Sequence, residues 1–156
     1  MSIYFAPYKD MLFVMRELAG LDKVSALPGY EEATPDMVEV ILDEAGKFAT
    51  EVLAPINHSG DEEGARWADK AVTMPKGFKE AYQQFVEGGW NGVAGNPEHG
   101  GQGLPKLVAA AVQETWKSSN ISFSLCPLLT LGAIEALELC GSPEQKEMYL
   151  PKMVQG

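Results

Sequence analysis

GGWNGVAGNPEHGGQGLP, from Gly88 to Pro105, is the stretch whose reading decides the fold. Seven of its residues are glycine, Pro97 and Pro105 interrupt it, and neither a 3.6-residue nor a two-residue apolar period fits. Helical patterns flank it on both sides, so it reads as a long ordered loop between helices. A connection of this length inside a compact domain marks either function or disorder. Trp90, Val93 and Leu104 speak for order, because apolar side chains at those intervals can pin a loop onto a core. Glycines at 100, 101 and 103 permit positive φ and the close approach of a second backbone. From physical chemistry alone, the stretch is a glycine-rich elbow joining two helices.

Working outward, the periodicity predicts roughly six helices and an all-α fold. The first spans about Tyr8 to Leu18, with Met11, Val14, Met15 and Leu18 on one face and Gly20 as its stop. Ile3, Tyr4, Phe5 and Pro7 form an apolar arm ahead of it, expected to pack on its own domain. The second helix has an N-cap at Thr34, proline at the first helical position and Asp36 at the positive end of the dipole. Its period runs from Val38 to Val52, and Pro55 is predicted to end it. His58, Asp61, Glu62 and Glu63 follow in what reads as a solvated acidic loop. A metal site there is disfavoured by the carboxylate spacing and the scarcity of His and Cys.

The third helix is predicted over Pro75 to Glu87, with Phe78, Ala81, Tyr82 and Phe85 inward. The fourth covers Pro105 to about Lys117, and Ser118-Ser119-Asn120 is read as a turn. The fifth, Ile121 to Cys140, is apolar almost all round until Glu135 and is therefore expected to be buried on most sides. Its small residues Gly132, Ala133 and Ala136 either admit a neighbouring helix or leave a slot for a ligand tail. Gly141 is the predicted C-cap, and Ser142-Pro143-Glu144-Gln145 opens a sixth helix with a capping box. No strand-rich region is expected.

The 156 residues suit one domain, 46% hydrophobic and 22% charged. A formal charge of −10 opposes nucleic acid and anionic membrane surfaces. The opening MSIYFAPYKD predicts no secretory leader. The most apolar run, 121–134, is interrupted by Ser122, Ser124, Pro127 and Thr130 and is expected to be too short for membrane insertion. Cys126 and Cys140 lie fourteen residues apart on one predicted helix, about 21 Å, beyond disulfide reach. They are expected to be buried free thiols in a reducing, cytoplasmic setting. The motifs G-x-x-x-x-G-K-[ST], G-x-G-x-x-G, His-Glu-x-x-His and Cys-x-x-Cys do not occur, so the residues alone define no catalytic site.

Three segments carry a family resemblance. Gly89-Trp90 with Pro97-Glu98-His99-Gly100-Gly101-Gln102-Gly103-Leu104-Pro105 resembles the loop in the N-terminal helical domain of acyl-CoA dehydrogenases. Phe48-Ala49 through Leu53-Ala54-Pro55 to Ser59-Gly60-Asp61 and Glu63-Gly64 is similar to a second family segment. Gly141-Ser142 through Gln145-Lys146 to Tyr149-Leu150-Pro151-Lys152-Met153 is similar to a third, the helix just before the family's flavin-binding β-domain. Tyr4, Ala6, Pro7, Asp10, Met11 and Phe13 resemble the N-terminal extension of the longer branch of the family.

The resemblance implies residues 1–30 as that extension and 31–156 as the N-terminal helical domain, with the flavin-binding β-domain and the C-terminal helical domain outside this sequence. It implies a parent enzyme that oxidises an acyl-CoA thioester at Cα–Cβ with FAD. In that family a glutamate of the C-terminal domain removes the α-proton, and the β-hydride passes to the flavin. Electrons then leave to an electron-transfer flavoprotein, and the parent is a homo-oligomer. It also implies that this chain alone carries no catalytic residue, holds no flavin and is inactive. By the same resemblance, counted back from Gly141, the wall of the acyl pocket falls on Leu125, Leu128, Leu129 and Gly132, which share one helix face at i, i+3, i+4 and i+7. Leucine at 125 and 128 suggests a short or slender acyl group. The alternative from another class is a free-standing acidic helical module that binds a partner protein through a polar exterior. The parent-domain reading predicts instead an exposed apolar patch around the fifth helix and the loop at 100–103.

Overall fold

The computed structural model describes residues 4–156; Ile3 of the N-terminal arm lies outside the described residues. The architecture is all-α with one small hairpin. Its elements are α1 (Tyr8–Glu17), α2 (Leu21–Ser25), α3 (Pro35–Phe48), a π-helical turn (Ala49–Leu53), α4 (Ala54–Glu63), β1 (Arg66–Ala68), β2 (Ala71–Thr73), α5 (Phe78–Glu87), α6 (Lys106–Ser119), α7 (Ile121–Cys140) and α8 (Pro143–Gln155). Short 3₁₀ turns at Trp90–Gly92 and Pro97–His99 lie inside the glycine-rich loop.

Where the sequence carries a cap, the helix begins where the cap predicts. Thr34 accepts a hydrogen bond from the Met37 amide at 3.3 Å, with Pro35 in the first turn. Ser142 and Gln145 complete the reciprocal capping box: Gln145 N donates to Ser142 Oγ at 3.3 Å, and Ser142 N donates to Gln145 Oε1 at 2.9 Å. Asn120 is the first residue of neither neighbouring helix. Its extended backbone breaks α6 from α7, and its Oδ1 accepts from the Phe123 amide at 3.0 Å. The same side chain donates from Nδ2 to the Leu53 carbonyl at 3.1 Å, so one buried residue caps α7 and ties it to the π turn.

Pro55 does not end the second helix. Proline has no N–H, and in an α-helix its ring collides with the carbonyl four residues back. The chain accommodates this by widening to a π turn over Ala49–Leu53, with Pro55 falling in the first turn of α4. The predicted acidic loop is therefore helical, and His58 and Glu62 face each other one turn apart at 3.6 Å. Among the described residues no group of His, Cys, Asp and Glu is arranged to hold a metal. Two other elements depart from expectation. A short α2 follows Gly20, and β1 pairs antiparallel with β2 through a two-residue turn whose Asp69 and Lys70 both have positive φ.

The main core gathers α1, α3, α5, α6 and the start of α7. Trp116 is its aromatic hub: ring centroids lie 5.4 Å from Phe48, 5.8 Å from Phe85 and 5.1 Å from Trp90, all edge-on. Met11, Leu12 and Met15 of α1 belong to this core, whereas Val14 and Leu18 face out. Tyr4 packs against it as well, and its hydroxyl meets Ser118 Oγ at 2.7 Å. A second, smaller core of Ile134, Leu150 and Val154 joins α7 to α8.

The expectation that α7 is buried on most sides is wrong here. Only Phe123, Ser124, Pro127 and Ile134 are buried, because α7 has packing partners on one side alone. Cys126 and Cys140 follow the helix outward and are exposed free cysteines, which corrects the expectation of buried thiols. The apolar run 121–134 lies within a helix of 20 residues, which by length and composition alone could cross a bilayer, a test that core helices also pass.

Candidate functional site: the outer face of α7 and the cleft beneath it

The glycine-rich loop closes on itself. Gln102 N donates to Gly92 O at 2.8 Å, Gly103 N to Gly95 O at 2.9 Å and Leu104 N to Val93 O at 3.0 Å. Gly101 is where two backbones meet, and a Cβ there would overlap the Gly95 carbonyl. Val93 is buried and Trp90 stacks edge-on against Trp116, so the loop is anchored as its three apolar residues predict. These amides are bound to the loop's own carbonyls and do not form a cradle for phosphate. The loop's work is mechanical: it fixes Asn91, whose Nδ2 donates to the carbonyls of Met153 and Val154 and so ties the loop to the end of α8.

The predicted acyl-wall residues divide between two surfaces. Leu125 is 51% exposed and Leu129 76%, and a Cβ on Gly132 would meet nothing within 4 Å. These three stand on the outer face of α7, with Leu139 another 76% exposed further along. Leu128 is half-buried and lines a cleft between α6 and α7. Leu125, Leu129 and Gly132 lie on one open face and Leu128 turns toward the cleft beside it.

The cleft itself was not legible in the sequence. It has a volume of about 290 Å³ and is walled by Phe85, Trp90, Trp116, Leu128 and Leu131, with Asn91 and Glu138 also in its lining. Lys106 and Glu135 pair across its rim, and the hydrogen bond to Glu135 raises the lysine pKa, with the nearby Glu138 carboxylate adding to the effect. Proximity of Asn91 to Glu138 needs the tertiary fold, and the only sequence hint was a polar residue inside the otherwise apolar Trp90–Val93 anchor.

Comparison with known proteins supplies the family. Residues 35–156 match the model of the acyl-CoA dehydrogenase N-terminal domain. Over 153 residues the chain is 46% identical to 3-methylmercaptopropionyl-CoA dehydrogenase of Ruegeria pomeroyi, covering 98% of this chain and 26% of that protein. It is 27% identical to butyryl-CoA dehydrogenase of Syntrophomonas wolfei, covering 98% of the chain and 26% of the relative. Identity to the broad-specificity linear acyl-CoA dehydrogenase FadE5 of Mycobacterium tuberculosis is 28%, over 77% of the chain and 20% of the relative. The chain thus spans about a quarter of the length of the relatives it matches. A loop closed on its own amides, a bundle with one helix covered on a single side, and this match over most of the sequence lead to one conclusion: the chain belongs to the acyl-CoA dehydrogenase family and corresponds to its N-terminal helical domain.

Proposed function

We propose that this chain supplies one wall of the acyl pocket, and a packing surface for further helices, in an FAD-dependent acyl-CoA dehydrogenase. The observation that carries the reading is the outer face of α7. Leu125, Leu129 and Leu139 stand exposed beside an unfilled position at Gly132, in a helix otherwise continuous with the core. A free-standing acidic module with a polar exterior would not present such a strip. Residues 1–30 are read as the extension, and its described part, from residue 4, packs on residues 31–156 through Met11, Leu12 and Met15 in the shared core.

In this role the residues bind and orient. About three methylenes laid against Leu125, Leu128 and Leu129 contribute roughly 2–3 kcal/mol, which positions the thioester for proton abstraction by a base elsewhere. FAD, when bound, accepts the hydride. No residue of this chain is assigned to hold it, since the loop amides that could face a pyrophosphate are already bonded. Leucine at positions 125 and 128 of the wall suits a short or slender acyl group. The parent enzyme is read as a cytoplasmic homo-oligomer passing electrons to an electron-transfer flavoprotein.

The test is a chimaera in which this sequence replaces the matching first quarter of the R. pomeroyi relative. The reading expects the chimaera to bind FAD and oxidise an acyl-CoA. Gly132→Leu in it should lower kcat/KM more for longer acyl chains, by about fourfold per displaced methylene. Equal loss for all chain lengths would refute the wall assignment.

A further inference from the structure

We propose that the β1–β2 hairpin is a docking edge for an acidic, extended segment of a partner protein, which joins it as a third strand. Both strands are exposed along their whole length. Trp67 is 73% exposed, its cross-strand neighbour Val72 62%, and Met74 follows at 50%. None of residues 66–74 belongs to either apolar core among the described residues. A two-stranded hairpin with no covered face is marginal by itself, and a third strand is what stabilises it. Trp67 and Val72, paired on one face, are the apolar anchor such a strand would cover.

The backbone supplies the pairing. Asp69 and Lys70 form a two-residue turn with positive φ at both positions, which sets the twist of the strands. Ala68 and Ala71 flank that turn and form the hydrogen-bonded pair, so by alternation Trp67 and Val72 are the non-bonded pair. Their amides and carbonyls therefore point away from the hairpin, one set on each edge, open to a neighbouring strand. Charge selects the partner. Residues 66–79 hold Arg66, Lys70, Lys76 and Lys79, against Asp69 alone, in a chain of net charge −10. All four cations are exposed, and among the described residues none is in an ion pair. The hairpin of a second copy would bring like charges together. Asp61, Glu62, Glu63 and Glu80 flank the basic stretch, and Lys76 N donates to Glu63 Oε2 at 3.0 Å, so the positive field is narrow. It suits one acidic strand along an edge, whereas a flat anionic membrane or a nucleic-acid backbone would also meet those carboxylates.

The experiment titrates the 156-residue chain with a hexapeptide alternating Glu and Val, its Lys-for-Glu counterpart, and the acidic peptide N-methylated at its valines. Readouts are amide chemical shifts and amide hydrogen exchange. The acidic peptide should give saturable shifts confined to residues 66–79 and slow the exchange of the Trp67 or Val72 amide, which a purely electrostatic contact would leave unchanged. The Lys peptide and the methylated peptide should bind about tenfold more weakly or worse. Trp67→Thr, which keeps strand propensity, should weaken the acidic peptide about tenfold. Lys76→Gln, outside both strands, tests charge without touching the hairpin and should weaken it about threefold. Equal binding of the Lys or methylated peptide, affinity unmoved by both substitutions, or no saturable shift would each overturn the proposal. Tighter binding through the hairpin to phosphatidylglycerol vesicles or to an oligouridylate would overturn it as well. None of these outcomes depends on acyl-CoA oxidation, so the acyl-wall reading stands or falls separately.

Discussion

Replacing Asn120 by alanine should unfold this domain more readily than any single change on its surface. The side chain is 1% exposed and makes two bonds at once, accepting from Phe123 N and donating to the Leu53 carbonyl. Loss of the helix cap costs about 1 kcal/mol, within a range of roughly 0.5–2. Loss of the bond to Leu53 removes about 1 kcal/mol more, and the buried Phe123 amide left without an acceptor adds to it. The sum is about 2–4 kcal/mol. Asn120→Ser keeps the acceptor for Phe123 and gives up only the donor, so it should fall near 1–1.5 kcal/mol, on the scale of one hydrogen bond. With a urea m-value of about 2 kcal/mol/M, alanine should lower the midpoint by roughly 1–2 M and serine by about half a molar. Equilibrium unfolding followed by far-UV circular dichroism measures both. If alanine and serine shifted the midpoint equally, or neither shifted it, Asn120 would not join α7 to the π turn as its bonds indicate.

Three further outcomes follow from other contacts. Gly101→Ala should destabilise by about 2 kcal/mol or more, because its Cβ would overlap the Gly95 carbonyl, and protease cleavage should appear first between 88 and 105. The Tyr82 hydroxyl has a raised pKa, chiefly from burial and secondarily from Cys126. Its stabilising effect is therefore complete below the ordinary tyrosine value of about 10 and is lost as pH rises through the raised value, since the unfolded chain ionises first. Comparing wild type with Tyr82→Phe by unfolding between pH 9 and pH 11, the usual tyrosine range bracketed by about one unit, should show a steeper loss of stability in wild type than in the variant, where the raised Lys106 pKa still leaves a slope. Finally, the exposed strip on α7 should bind a hydrophobic dye and promote self-association, and Leu129→Lys with Leu139→Lys should suppress both in sedimentation velocity.

How much of this was readable in the letters depends on what each letter controls. Thr34, Ser142 and Gln145 act on amides three residues away, so their helices start where local chemistry says. The order of the glycine-rich loop was legible through Trp90, Val93 and Leu104, which have no reason to recur in a solvated linker. Pro55 misled because its effect depends on whether the preceding turn can widen, a choice settled by packing around Ala49 and Leu53. The hairpin escaped notice since Asp69 and Lys70 take positive φ without the glycine that usually signals such a turn. Hydrophobicity all round α7 indicated that something covers it but could not say what, so the burial of its leucines and cysteines was misjudged together. The acyl-wall residues were placed on a shared face by spacing alone. The cleft, built from α6, α7 and the loop, has no local signature at all.

The account rests on the outer face of α7 receiving an acyl chain. Its most direct test is photo-crosslinking of the FAD-loaded chimaera with an acyl-CoA carrying a diazirine near the end of its tail, followed by peptide mass mapping. Adducts concentrated on the peptide containing Leu125 to Gly132, and competed away by unlabelled acyl-CoA, are the predicted result. Competable labelling confined to other helices, with none on that peptide, would contradict it.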